Sequence, residues 1–210
     1  MRRLFIGFLV LGLYATLATS VQAGALNLLT TDGVPDFLED DDFESIIDLN
    51  SSGGTNVGDA FVGVIEMQKI NGTSITDSNL TAVLAARIDA ISVSGSVTTF
   101  TFGALSAGEY TTLSGLFPSL PTRTDVDTAI IVFEDNVSPF LDLTGTIDDA
   151  IGSAADGTEV VEFGFSGSTY SRLEFTAADN FRFKLALNVT ENSTSFVFIP
   201  VTSAQTGAKK

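Results

Sequence analysis

Asp40, Asp42 and Glu44 alternate within "DGVPDFLEDDDFE" (Asp32–Glu44), a stretch that also carries Asp36, Glu39 and Asp41. Carboxylates at this density are hard-cation donors, and calcium takes roughly six to eight oxygens from carboxylates, carbonyls and water. Asp36, Asp40, Asp42 and Glu44 are therefore the candidate calcium ligands. Read from Asp40 as an EF-hand loop, the pattern fails at its sixth position (Ser45, where Gly is needed) and at its twelfth (Ser51, where Glu is needed). The competing reading is a solvated acidic lead-in to the first strand. Phe37, Phe43, Ile46 and Ile47 would dock it, and Asp41 or Asp42 would cap a short helix.

Other chemistry is narrowed by what the chain lacks. It has no His and no Cys. That removes a Ser-His-Asp triad, a thiol nucleophile and a His/Cys zinc site. No glycine-rich phosphate loop is present either. A carboxylate pair, as in glycoside hydrolysis, is the acid–base option that remains, with Glu159 and Glu162, or Glu66 with Asp89, as nominees. In so acidic a chain such pairs arise by chance, and a non-enzymatic protein is the expectation.

The residues that would position any site lie behind an apolar leader. Arg2 and Arg3 precede "LFIGFLVLGLYATLA" (Leu4–Ala18), and "SVQAGA" places small residues at Val21 and Ala23. This is the layout of a signal peptide over residues 1–23, cleaved near Ala23, and it predicts a secreted, extracellular or cell-surface protein with no transmembrane segment after cleavage. Loss of Arg2 and Arg3 would take the formal charge from −16 to −18. Such a chain repels nucleic acid and attracts cations. The expected organisation is an acidic lead-in at 24–56, a β domain at 57–201 and a tail at 202–210, with no disulfide to staple it.

Strand patterning dominates the rest. Four Phe-x-Phe pairs (Phe100/Phe102, Phe163/Phe165, Phe181/Phe183 and Phe196/Phe198) each place two rings on one face of a strand. "TAIIVFED" (Thr128–Asp135) reads as a buried strand, and Asn71-Gly72 as a hairpin turn. Leu80–Ser94 fits a helix face at Leu80, Leu84, Ile88 and Ile91, yet its flanks and "ISVSG" ending favour a strand. Asn50–Asn56 is a loop by composition, Thr144–Thr158 a polar connection, and Ala104–Asp127 a long excursion with one short helix near Thr111–Leu116. The expected fold is all-β: an antiparallel β-sandwich, jelly-roll or Ig-like, with long loops and at most one or two short helices.

Two resemblances bear on function. "DGVPDFLEDDD" resembles the tail of a thrombospondin type-3-like calcium repeat, with Thr30 and Thr31 where that repeat has further Asp. "DDDFESIIDLN", "VGDAFVGVIEMQKING" (Val57–Gly72) and "IIVFEDNVSPF" (Ile130–Phe140) together resemble exported bacterial proteins with a PEP-CTERM sorting tail. The second resemblance implies a surface or extracellular-matrix role, associated with exopolysaccharide and biofilm. It carries over no catalytic residues. At "VTSAQTGAKK" Lys209 and Lys210 stand where the family has its basic end, but its Pro-Glu-Pro motif and apolar helix are not matched, so the anchoring inference does not transfer. The expected function is a secreted structural or matrix protein that binds calcium and self-assembles through strand edges. The alternative is a module for extracellular polysaccharide, with the Ala104–Pro121 part of the excursion, around Tyr110, as its binding loop. A carboxylate-dependent glycosidase ranks third.

Overall fold

The computed structural model describes residues 38–70, 73–74, 79–135, 142, 144–165, 172–176, 180–192 and 202–208. The leader, Phe37, Asp36, Asn71-Gly72 and the Phe196/Phe198 pair lie outside them. Ten strands and two helices follow in the order β1 (Leu38–Ile47), β2 (Ala60–Ile70), β3 (Thr73–Ser74), β4 (Asn79–Ser94), β5 (Val97–Gly103), α1 (Ala107–Leu116), β6 (Thr128–Asp135), α2 (Ile147–Ala154), β7 (Thr158–Phe165), β8 (Arg172–Thr176), β9 (Asn180–Asn192) and β10 (Thr202–Ala208). The protein is all-β and antiparallel. The described strands are hydrogen-bonded into one sheet, and a division into two stacked sheets is not among their pairings.

The sheet forks at β4. One edge of this strand pairs with β2, from Ala60↔Arg87 to Met67↔Leu80. Its other edge carries β6 along Asn79–Leu84 and β5 along Arg87–Ser94. The two branches run through β8 and through β7 and meet again on β9, which pairs with β8 near Phe181–Lys184 and with β7 near Leu187–Asn192. β1 closes the path on the β2 side and β10 pairs with β9. The chain between β5 and β6 leaves from the crotch of the fork, and this is where the Ala104–Asp127 excursion is seated.

β4 shows why the strand reading prevails. Leu80, Ala82, Leu84, Ala86 and Ile88 enter one core cluster, while Val83 and Ala85 enter another. A strand apolar on both faces is a buried central strand. A β-bulge between Ile88 and Ala90 leaves Asp89 unmatched in the ladder with β5 and reverses the parity, so Ile91 faces the same cluster as Ile88. The spacing of Leu80, Leu84, Ile88 and Ile91 that imitates a helix face is thus period two plus one inserted residue.

Helices cover one face. Leu113 of α1 and Ala150, Ile151 and Ala154 of α2 pack with Val62, Val64, Val83, Ala85, Ile131 and Phe133. Thr81, fully buried, donates from Oγ1 to the Ala154 carbonyl (2.6 Å) and fixes the end of α2 on the sheet. Each helix opens with a capping box: Ser106 with Glu109, and Thr146 with Asp149. The α1 box extends the short helix expected near Thr111–Leu116 back to Ala107. The stretch Thr144–Thr158, expected as a connection, contains α2. Its signals were Thr146-x-x-Asp149 and the apolar Ile147, Ala150, Ile151 and Ala154.

The other face gathers Phe61, Phe102, Ile130, Val132 and Phe163 with the even-numbered side chains of β4, and Phe100 and Phe165 pack against them. The Phe61 and Phe102 rings, on strands flanking β4, meet at 5.1 Å between centroids. The Phe-x-Phe pairs of β5 and β7 are core residues.

Candidate functional site

The described part of the acidic run, Leu38–Glu44, lies on β1, which ends the sheet path among the described strands. β1 pairs antiparallel with β2, so Asp40 stands opposite Met67, Asp42 opposite Ile65 and Glu44 opposite Gly63. The short helix capped at Asp41 or Asp42 is not formed, because the backbone from Leu38 to Ile47 is committed to the β2 ladder. Phe43 and Ile47 pack toward the helix-covered core and Ile46 toward the opposite one, which is the docking role expected of them. Strand spacing sets the α-carbons of Asp40, Asp42 and Glu44 roughly 7 Å apart in sequence. Asp36 lies outside the described residues. Among those described, no three His, Cys, Asp or Glu side chains group closely enough to hold a metal.

The excursion between β5 and β6 forms an open groove of about 500 Å³, bordered by Ala107, Tyr110, Ser114, Pro121, Thr122 and Asp125. Its shape comes from three anchors. Arg123 donates from one guanidinium nitrogen to the Leu105 carbonyl and from the other to the Val126 carbonyl, each at 2.8 Å, so one side chain ties both ends of the excursion. Its guanidinium carbon lies 4.3 Å from the centroid of the Tyr110 ring. Burial pushes the Arg123 pKa down, and the neighbouring Tyr110, Asp125, Asp127 and Glu162 act against that. The Tyr110 hydroxyl donates to the Pro121 carbonyl. Burial pushes this phenol up to about 12.

The third anchor is Glu162 on β7, which is wholly buried. Its carboxylate accepts the Thr124 N–H (3.0 Å), the Thr124 hydroxyl (2.9 Å) and the Thr128 hydroxyl (2.6 Å). A carboxylate so engaged is a structural acceptor holding the end of the excursion to the sheet. Glu159, nominated with it, has its pKa raised by burial and then by Glu162 and Glu191. The other nominees stand far apart. Glu66 pairs with Thr81, and Asp89 sits eight residues further along β4. That is roughly 26 Å at strand rise, beyond the roughly 5–9.5 Å that glycoside hydrolysis needs. Asp89 instead accepts from Arg87 (2.7 Å), which also reaches Glu109 of α1 (3.4 Å).

The sequence signalled the excursion but not its anchors. Arg123 is the only basic residue between Ala104 and Asp127, and that isolation in an acidic chain was the available sign. Tyr110, at the centre of the expected binding loop, has its hydroxyl bonded within the excursion and the Arg123 guanidinium over its ring. No protein-family model, curated protein or solved structure matches this chain. Among the described residues no helix is long and apolar enough to cross a membrane.

Proposed function

We propose that the chain is an exported, non-enzymatic structural module of a cell surface or extracellular matrix, which joins neighbouring copies through the β1 edge when cations screen its charge. The observation that supports this reading is the position of β1: ten residues long, last in the sheet path on its side, and carrying Glu39, Asp40, Asp41, Asp42 and Glu44. An edge strand offers backbone groups to another strand, and charge along it is the usual device that prevents uncontrolled pairing. Divalent cations relax that repulsion, so assembly becomes conditional on the external medium. Export rests on the leader, and the absence of His and Cys leaves the carboxylates as the acid–base groups.

Sedimentation velocity in millimolar calcium and then in chelator tests the reading. The expected result is a reversible shift to large species with calcium, reproduced without calcium in Asp40→Asn/Asp42→Asn. A monomer in every condition would sink it. The groove beside α1 favours a second reading, an extracellular polysaccharide ligand, because it joins exposed hydroxyl and carboxylate groups at Thr122 and Asp125 to apolar walls. Glycan binding that is lost in Thr122→Ala/Asp125→Ala would establish it.

A further inference from the structure

The connection between β1 and β2 is twelve residues, "DLNSSGGTNVGD" (Asp48–Asp59), where antiparallel neighbours are commonly joined by about two to five. We propose that this loop is a calcium-binding site, independent of the β1 edge and of the assembly reading above. Counted from Asp48, it sets Asp, Asn and Ser at its first, third and fifth positions, Gly53 at the sixth and Asp59 at the twelfth. That is the order of oxygen donors, with the glycine at the sharp bend, of an EF-hand loop, with Asp in place of the final Glu. Here it is carried on two strands instead of two helices.

The loop is already folded into a cup. Asp48 accepts the Gly53 N–H (2.8 Å) and the Ser52 N–H (3.1 Å), and Asn50 accepts the same Ser52 N–H from its side chain (2.9 Å). Asn56 donates from its side chain to the Ser52 hydroxyl and to the Gly53 carbonyl, each at 2.8 Å. Positive φ at Ser51 (57°), Gly53 (76°), Gly54 (75°) and Gly58 (95°) turns the chain back on itself. A Cβ on Gly58 would lie 3.6 Å from the Asn50 side-chain nitrogen, so the third position meets the eleventh. Asp48 and Asp59 stand one step beyond the last ladder pair, Ile47↔Ala60, so the first and last residues of the loop are neighbours across the hairpin.

Hydrogen bonds alone do not make a metal site. The independent observation is Asp59. It is wholly buried, one oxygen accepts the Asn56 N–H of the loop (2.7 Å), and the other, Oδ1, is buried with no hydrogen-bond partner. A buried carboxylate oxygen with nothing to accept from is strongly unfavourable, and a hard cation supplies what it lacks. Two carboxylates with neutral oxygens make a weak calcium site, with Kd of roughly 10⁻⁴–10⁻³ M, in the range of extracellular modules.

Isothermal titration of the full chain with calcium chloride, alongside amide chemical shifts, tests the proposal. One saturable site is expected, with shifts centred on Asp48–Asp59. Asp48→Asn and Asp59→Asn should each weaken it at least tenfold. Asn50→Ala, an exposed change that spares the core, should weaken it severalfold, and Asp40→Asn/Asp42→Asn should leave it unchanged. Absence of saturation up to about 10 mM, ten times the weak end of the range, would overturn the proposal. So would binding that survives Asp48→Asn and Asn50→Ala, or that is lost only with the β1 acids. Titration heat and sedimentation are separate readouts, so a monomer that binds calcium here refutes assembly and leaves this site standing.

Discussion

Removing the Glu162 carboxylate should release the excursion from the sheet. Glu162→Ala deletes an acceptor for the Thr124 N–H and for two hydroxyls. A hydrogen bond to a charged group contributes about 1.5–3 kcal/mol net. The three do not add, because Thr128 can turn its hydroxyl to Thr190 at 3.0 Å and the exposed Thr124 can be solvated. One such bond, with about 0.8 kcal/mol for the one lost methylene, gives an expected loss of about 2.5–4 kcal/mol. Glu162→Gln keeps the shape and one acceptor and loses the charge, so about 1–1.5 kcal/mol is expected. Urea unfolding followed by far-UV circular dichroism measures both. Trypsin reports the local event: Arg123 is its only site between Ala104 and Asp127, and the bond it would cut ends at the Thr124 nitrogen that Glu162 holds. If opening becomes easier by about 2 kcal/mol, cleavage there should accelerate about thirtyfold. An Ala variant within about 1 kcal/mol of the parent, or unchanged cleavage at Arg123, would refute the anchoring argument. A Gln variant more stable than the parent would show that burying the charge costs more than its bonds return.

Two further outcomes follow from the same region. Tyr110 should ionise near 12 instead of 10.0, read as tyrosinate absorbance in a chain with Tyr14 and Tyr170 changed to Phe. Because its folded pKa is raised, its contribution is fully present below pH 10 and fades as pH climbs toward 12, by at most about 2.7 kcal/mol; an ordinary titration near 10 would mean the phenol is solvated. Gly164→Ala places a Cβ 2.6 Å from the Thr190 methyl and 2.7 Å from the Asp127 carbonyl, which already accepts the Phe165 N–H, so a loss of about 1–3 kcal/mol in thermal or urea unfolding is expected. Gly63→Ala, whose nearest contact is the Glu44 Cγ at 3.4 Å, should cost less than half as much, and equal losses would count against the packing argument.

How far the sequence spoke depended on whether a signal was local. The apolar run "TAIIVFED" and the Phe-x-Phe pairs of β5 and β7 are local signals, and these stretches are strands with their rings in the core. β4 was harder, since its decisive feature, the bulge at Asp89, is defined by the pairing with β5 and not by β4's own pattern. α2 was missed because eight residues with two Asp and a Gly read as a polar connection until the capping box and the buried Ala150, Ile151 and Ala154 are taken together. One sheet or two was not readable at all, because β4 and β9 each receive two partners in sequence, and such a fork leaves no trace in either strand's own pattern.

The acidic segment shows the same limit at the scale of a site. Counting ligand positions from Asp40 picks out the densest charge, and density is what a linear reading rewards. The fold spreads those residues along an extended strand, where alternate α-carbons stand roughly 7 Å apart. The frame that begins at Asp48 has two acids among its twelve residues and draws less notice. It is the antiparallel pairing of β1 with β2 that brings its first and last residues together, and the burial of Asp59 that gives the pairing chemical consequence. Convergence of donors, not their number, is what a cation selects, and convergence is a property of the hairpin.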